Sequence, residues 1–228
     1  MKLSRVLLAV CAFGLAFLAD VANAATFIWV GEEGDWSDAT KWHQGTLAGP
    51  TGVLPGVDDE VQLSGAKAKI NVDDDYHVKS MNPYAWGPAI VYTFVGNGKL
   101  TVGSGGVNTS FNTYNCNYIL DGPDLYCQEG VQYIQGGSLT VKKGVFTVKT
   151  CYHQYADGKL IIDGGTVTSA GDDNRSIILE NLWEKTGDPL ATLELRSGVL
   201  DARVDFYVGY FTVTGGTWDR TITQNRTF

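Results

Sequence analysis

The fold is decided by two copies of one pattern between residues 137 and 167. The first copy reads Gly137-Ser-Leu139-Thr-Val141-Lys-Lys-Gly144-Val-Phe146-Thr-Val148, and the second reads Gly158-Lys-Leu160-Ile-Ile162-Asp-Gly164-Gly165-Thr-Val167. Apolar residues at alternate positions predict strands that bury one face. Because Leu139 and Leu160 are 21 residues apart, we expect them to stack on neighbouring coils of a wound β-structure.

Three more copies of the pattern lie on either side. They are Gly98-Lys-Leu100-Thr-Val102, Thr192-Leu193-Glu-Leu195 and Phe211-Thr-Val213-Thr-Gly215-Gly216. One coil cannot bury its apolar face alone, so several must stack. The sequence therefore predicts an all-β protein whose domain, residues 61–228, is a single-stranded right-handed parallel β-helix (β-solenoid) of about six to eight coils, with a corner insertion at 171–189.

Residues 1–24 have the organisation of a signal peptide. Lys2 and Arg5 precede an apolar run from Val6 to Leu18, and Ala22-Asn23-Ala24 has the small residues that a signal peptidase requires. A membrane anchor is the alternative, but the run is short for one. We expect a secreted, extracellular or cell-surface protein that does not insert in the membrane after signal cleavage.

The net charge of the chain limits the classes of partner that we expect it to bind. Removing Lys2, Arg5 and Asp20, a net +1, from the whole-chain charge of −8 leaves −9 on the exported protein. No basic stripe is present to neutralise phosphates, which argues against nucleic acid as a partner. The same balance argues mildly against acidic polysaccharides.

The N-terminal segment, residues 25–60, is rich in tryptophan. It reads Trp29-Val-Gly31, then Gly34-Asp35-Trp36-Ser37, and then Trp42, before a Gly/Pro-rich loop. These indoles are predicted to cap the first coil, whose strand edges and apolar end need cover. The alternative is a carbohydrate-stacking platform that includes Trp42.

The Trp-Gly, Asp-Trp-Ser and Trp elements, with the Gly-x-Leu-x-Val repeats, carry a resemblance to a known group. Together they resemble bacterial secreted autotransporter-like β-solenoid surface proteins. The close match covers about 35 residues, from Thr26 to Leu63 with the Gly/Pro loop included, and the remainder matches only as a repeat. The resemblance implies a solenoid at the cell surface with a structural or adhesive role.

Three cysteines remain after export, Cys116, Cys127 and Cys151. An oxidising compartment favours one disulfide and one odd thiol. We predict the local pair Cys116 and Cys127. Pairing of Cys127 with Cys151 on adjacent coils and three buried free thiols are the alternatives.

Residues 108–135 are the most irregular part of the chain, with five aromatic residues interleaved with asparagines. Stacking of these side chains inside the coils is the predicted arrangement, and a ligand-facing wall is the alternative. The aromatic residues are Phe111, Tyr114, Tyr118, Tyr126 and Tyr133.

Two further segments are candidates for binding. Corner loops carry contacts in rigid folds, so Trp183 and Arg175 in the insertion are predicted to bind a partner, together with Trp42, against the simpler interpretation of a solvated loop. The carboxylates of Asp73, Asp74 and Asp75 could hold calcium. The calcium-loop pattern is lacking, so we favour a solvated acidic turn and predict no metal or cofactor.

Polysaccharide lyases and hydrolases make an enzyme the rival interpretation. Such chemistry needs a placed base or a carboxylate pair, and the sequence has no motif that supplies one, so we predict no catalytic residues. The sequence favours a structural or adhesive protein. The alternative is a small carbohydrate-binding or polysaccharide-degrading β-helix that acts through its corner loops. Surface proteins, glycans and further copies of the chain are the partners that these roles admit.

Overall fold

The computed structural model describes residues 24–85, 87–103, 109–128, 131–148, 151–155, 157–169, 176–179, 191–206, 209–219 and 222–223. In these ranges the chain forms 23 strands and one turn of 3-10 helix, Ala39–Lys41. The strands are β1 Thr26–Trp29, β2 Glu33–Asp35, β3 Trp42–Gln44, β4 Glu60–Leu63, β5 Lys67–Val72, β6 Tyr76–Val78, β7 Ser80–Pro83, β8 Val91–Gly96, β9 Lys99–Val102, β10 Thr109–Asn112, β11 Asn117–Asp121, β12 Asp124–Cys127, β13 Val131–Gln135, β14 Ser138–Lys143, β15 Val145–Val148, β16 Cys151–Tyr155, β17 Lys159–Ser169, β18 Ser176–Leu179, β19 Thr192–Asp201, β20 Arg203–Phe206, β21 Tyr210–Val213, β22 Thr217–Trp218 and β23 Ile222–Thr223. The predicted all-β class is confirmed.

The strands belong to two large sheets. One has ten strands in the order β23-β20-β18-β16-β13-β10-β7-β4-β1-β3, and the other has thirteen and is built on β2-β5-β8-β11-β14-β17-β15-β12-β9-β6, with β19, β21 and β22 attached through β19. Every pairing is parallel except that of β1 with β3, which is antiparallel. The ten-stranded sheet is therefore mixed.

The apolar residues of successive strands align in columns. Leu139 pairs with Leu160, and Leu160 pairs with Leu193, as their spacing predicts. From Leu139 the column continues through Tyr118 and Tyr92 to Ala68. From Leu193 it continues to Phe211. A second column is formed by Ile70, Phe94, Leu120, Val141, Ile162, Leu195 and Val213. All but the last residue of each column are buried, so one continuous core runs between the sheets.

The predicted single-stranded right-handed β-helix of about six to eight coils is wrong. The described strands form mixed sheets, in which β3 returns antiparallel to β1 at the edge of the ten-stranded sheet. A repeat of 20 or so residues specifies which strands stack on each other. It does not specify how a sheet ends or whether a strand from outside the repeat joins it, and that is where the prediction failed.

The predicted domain boundaries at residues 24, 60, 171 and 189 stay predictions. Strand β4 begins at Glu60, beside the predicted start of the repeat domain. The signal peptide, apart from Ala24, lies outside the described residues. Of the predicted insertion only Ser176–Leu179 is described, and it forms strand β18 between β16 and β20. Within the described ranges no helix is long and apolar enough to cross a lipid bilayer.

Candidate functional site

The most distinctive surface lies where the chain leaves the ten-stranded sheet after β7 and after β10. These two strands are neighbours, with Met81 in register with Phe111. The loops that follow meet at Cys116, whose Sγ lies 3.4 Å from the Ala85 carbonyl oxygen and 3.6 Å from that of Tyr114. We call this surface the neutral corner; it comprises Tyr84, Ala85 and residues 113–116.

Two tyrosines of the neutral corner reach solvent. Tyr84 is 45% exposed and Tyr114 is 37% exposed, which is unusual for large rings in a protein of this kind, where aromatic residues are mostly packed inside. Both belong to loops carried by a rigid sheet. Exposed aromatic rings on such loops are a common means of contacting a ligand.

The loop after β10 is a tight turn with a strained backbone. Cys116 N–H donates to the Thr113 carbonyl oxygen at 2.9 Å, which closes the turn. The two central residues, Tyr114 and Asn115, have φ of +40° and +63°, as type I′ turns require. Asn tolerates this region, whereas Tyr does so only at a cost of order 1 kcal/mol. Strain of this kind, which holds an aromatic ring at the surface, is a reason to consider the turn functional.

Packed aromatic rings support the neutral corner from below. Tyr118 packs edge-on against Phe111 with ring centroids 5.1 Å apart and lies 5.2 Å from Tyr92. The Tyr92 hydroxyl donates to the Leu63 carbonyl oxygen at 2.6 Å. Burial raises the pKa of Tyr92, of Tyr118 and of the Cys116 thiol. These side chains therefore stay protonated, and their packing supports the loops of the neutral corner.

The two segments that form the neutral corner carry no charge of their own, but one carboxylate lies beside them. A Cβ atom at Gly136 would lie 1.6 Å from Asn115 Oδ1 and 3.1 Å from Asp157 Oδ1. No charged residue occurs in 80–98 or in 100–120. Lys99, between the two runs, lies with Nζ 4.8 Å from the centre of the Tyr126 ring. The Asn117 side chain donates to the Pro88 carbonyl oxygen at 2.8 Å and accepts from Ser138 Oγ at 2.7 Å. This surface offers aromatic rings and amides with one carboxylate at its edge, which suits a hydroxyl-rich partner that carries no negative charge.

The three residues predicted to bind a partner have different outcomes. Trp42 is fully buried. Its ring packs on Trp36 at 4.7 Å and on Trp29 at 5.1 Å, and its Nε1 donates to the Trp36 carbonyl oxygen at 2.8 Å. In this position it supports the core and offers no exposed face to a sugar. Trp183 and Arg175 lie outside the described residues.

The predicted disulfide is absent from the structure. Cys116 and Cys127 are both free and buried, and the side chain of Cys151 lies outside the described set. Burial raises the pKa of Cys127 as well. Thiols that stay protonated in a packed interior are poor nucleophiles, so both fit a packing role.

The acidic turn after β5 is engaged in hydrogen bonds. Asp73 Oδ2 accepts from Ser37 Oγ at 2.6 Å, and Oδ1 accepts from the Tyr76 hydroxyl at 2.8 Å. Asp74 Oδ1 accepts from the Asp75 backbone N–H at 2.8 Å. Among the described side chains no group of three His, Cys, Asp or Glu residues converges as a metal centre would. The favoured interpretation, a solvated acidic turn without a metal, stays a prediction.

The neutral corner was only partly visible in the sequence. The interleaved tyrosines and asparagines of 108–135 raised the option of a ligand-facing wall, and Tyr114 belongs to that set. Of its other members, Phe111 and Tyr118 are buried. Tyr84 carried no sequence signal, because its role depends on the register of β7 with β10.

No protein-family model, curated protein or solved structure matches the chain. The resemblance to autotransporter-like surface proteins therefore stays a prediction from motifs. Any functional conclusion has to come from the residues themselves.

Proposed function

We propose that this protein is exported and acts outside the cytoplasm as a non-catalytic structural and adhesive protein. The observation that carries the proposal is the pair of buried columns from Ala68 to Leu193 and from Ile70 to Leu195, which join successive strands into one packed core. Such a core gives a stiff support. Loops at its corners can then present contacts without refolding.

One feature of the sequence supports the location, and one feature of the structure supports the adhesive role. Residues 1–24 have the three regions of a signal peptide. The neutral corner exposes the Tyr84 and Tyr114 side chains to solvent in the loops that follow β7 and β10. Rings of this type are favoured at contact surfaces because they bury a large area with few rotatable bonds.

The test of this proposal has two parts. The full chain is expressed in a bacterial host, and the exported product is examined by intact mass, which should correspond to a chain beginning at Ala25. The purified product is then labelled and tested for binding to cell surfaces. A chain retained inside the host with its first 24 residues, or an exported chain that binds no surface, would contradict the proposal.

Glycan binding is the second candidate, and the neutral corner favours it. Sugar rings stack on exposed aromatic faces, and Tyr84 and Tyr114 are carried by adjacent loops that meet at Cys116. The absence of charge in residues 80–98 and 100–120 fits neutral sugars better than acidic ones.

A glycan array with variants distinguishes the two candidates. Tyr84→Ala and Tyr114→Ala should each reduce binding to a neutral glycan at least severalfold, because each removes one stacking face. Leu47→Ala is the matched control, since Leu47 is similarly exposed (44%) but lies in the loop after β3. If binding to cells survives enzymatic removal of surface glycans, the adhesive partner is a protein.

A further inference from the structure

Strand β21 forms an open edge of the thirteen-stranded sheet. It pairs with β19 alone. Tyr210 N–H donates to the Ala191 carbonyl oxygen at 2.8 Å, and Thr214 N–H donates to that of Leu195 at 2.9 Å. Alternate residues of a strand direct their backbone groups to opposite sides. The backbone of Val213 therefore faces away from β19, where the described part of the chain supplies no further strand.

The same strand exposes large apolar side chains. Tyr210 is 61% exposed and Val213 is 53% exposed. Among the strand residues whose side chains are described, no other large hydrophobic residue is exposed; the remaining described cases are in loops, at Leu47, Val53, Val57, Tyr84 and Tyr114. An uncovered apolar strand edge is the kind of surface that pairs with another chain.

The opposite end of the molecule is protected. There the edge strand β3 is covered by the loop that follows it, because Gln44 N–H donates to the Pro50 carbonyl oxygen at 2.9 Å. Gly52 N–H donates to the carbonyl oxygen of Ala39 at 2.9 Å and holds the loop in place. The thirteen-stranded sheet also ends in β2 and β6, which pair with β5 and β9 alone. Strand β2 carries two carboxylates, which disfavour strand pairing, and β6 has no exposed large hydrophobic residue. An equivalent β21 is therefore the edge that fits β21 best.

Charge favours a second copy of this chain as the partner. Residues 209–218 carry no charge, whereas the whole chain has a net charge of −8. Two copies that approach through their acidic surfaces repel each other. Two copies that meet at this neutral strand avoid the repulsion and bury Tyr210 and Val213.

We propose that two copies of the chain associate through their β21 strands, which pair antiparallel about a two-fold axis. A two-fold axis normal to the sheet reverses the direction of the partner strand, so the contact is self-complementary and closes at a dimer. This inference is independent of the proposed function, since it concerns a different strand and needs no ligand.

Analytical ultracentrifugation of the exported full chain tests the dimer. The wild-type protein should sediment as a concentration-dependent dimer, and Val213→Lys should shift it to monomer because a charge at the edge prevents strand pairing. Val53→Lys is the matched control, since Val53 is also exposed (60%) but lies in the loop after β3. It should leave the dimer intact. The melting temperature of each variant checks that it is folded.

Three outcomes would overturn the proposal: a wild-type chain that stays monomeric up to the highest soluble concentration, a dimer that survives Val213→Lys, and a dimer lost in Val53→Lys. A spin label gives a second readout. A nitroxide attached at Thr214→Cys should show dipolar coupling between copies, whereas one at Thr51→Cys should not, with the unsubstituted chain correcting for its own thiols. Coupling at residue 51 alone would point to the opposite end and contradict the model of β21 pairing.

Discussion

At the residue scale, Asp73 ties the N-terminal segment to the thirteen-stranded sheet. Its carboxylate accepts hydrogen bonds from Ser37 and Tyr76. Partial burial acts to raise the pKa of Asp73, but the bonds from Ser37 and Tyr76 outweigh it, so the pKa is lowered. The Tyr76 ring in turn stacks on Trp36 with centroids 5.5 Å apart. The Asp73 carboxylate therefore links the turn after β5 to the N-terminal segment that contains the three buried tryptophans.

Acid should weaken this attachment. A carboxyl group whose folded pKa is lowered contributes stability above its unfolded pKa of about 3.9, and the contribution is lost as the pH falls through the folded value. Asp73→Asn should lower the urea midpoint at pH 7 and reduce the loss of stability between neutral pH and pH 3. Asp58→Asn is the carboxyl-to-amide control in an exposed loop. A pH dependence in Asp73→Asn as steep as in the wild type would contradict this role.

A rise in pH should weaken the same hydrogen bond by deprotonating its donor, the Tyr76 hydroxyl. Burial, followed by the hydrogen bond to Asp73, raises the pKa of Tyr76 to about 12. Its contribution to stability is therefore present below the unfolded pKa of about 10 and is lost as the pH rises toward 12. The difference between the tyrosinate absorbance of the wild type and that of Tyr76→Phe should titrate near 12. A difference that titrates near 10 would contradict both the burial of the Tyr76 ring and its bond to Asp73.

Trp42 should matter for stability. It is fully buried between Trp29 and Trp36 and donates to the Trp36 carbonyl oxygen. Trp42→Ala should lower the free energy of unfolding by about 3–5 kcal/mol, because it opens a cavity that cannot collapse fully. Trp42→Phe, which keeps most of the ring, should cost less. Denaturant titration measures both, and a loss below about 1 kcal/mol in Trp42→Ala would place the ring at the surface.

At the scale of elements, the turn between β14 and β15 depends on Gly144. Its φ is +73°, and a Cβ atom there would lie 2.2 Å from the Pro123 carbonyl oxygen of the preceding turn. Gly52 has φ +100° but no atom within 4 Å of such a Cβ. The first glycine is therefore required by both conformation and crowding, and the second by conformation alone.

Alanine at these two glycines separates the two effects. Gly52→Ala should cost roughly 1 kcal/mol, the penalty for a left-handed residue with a side chain. Gly144→Ala should cost clearly more, since two stacked turns must also move apart. Chemical denaturation of both variants gives the comparison. Equal losses would show that the space around Gly144 can accommodate a Cβ atom, contrary to its 2.2 Å distance from the Pro123 carbonyl oxygen.

The sequence was informative about some elements and silent about others. The alternation and spacing around Leu139 and Leu160 predicted both the strands and their register, because burial on one face leaves little freedom in pairing. Strand β3 was not predicted as an antiparallel partner of β1, since Trp42-His43-Gln44 has no alternating apolar pattern. The left-handed turn at Tyr114 and Asn115 was also missed, because tyrosine is not a residue that predicts positive φ.

At the scale of the whole molecule, the two buried columns make distant strands depend on one another. Leu160 contacts the core through Leu139 on one side and Leu193 on the other. The mixed arrangement of the ten-stranded sheet could not be predicted from such contacts alone. They are local between neighbouring strands, whereas the mixed ten-stranded sheet results from an N-terminal segment outside the repeat.

This coupling predicts cooperative unfolding, which the buried thiols can report. Leu160→Ala should lower the free energy of unfolding by about 2–5 kcal/mol. If the core unfolds as one unit, the variant should accelerate thiol labelling of Cys116 and Cys127 by the same factor, although neither lies on the strand of Leu160. A Cys151→Ser background limits the signal to these two thiols, and mass spectrometry of labelled peptides resolves them. Acceleration at one thiol only would show that the columns divide into separately unfolding parts, because a shared opening must expose both cysteines together.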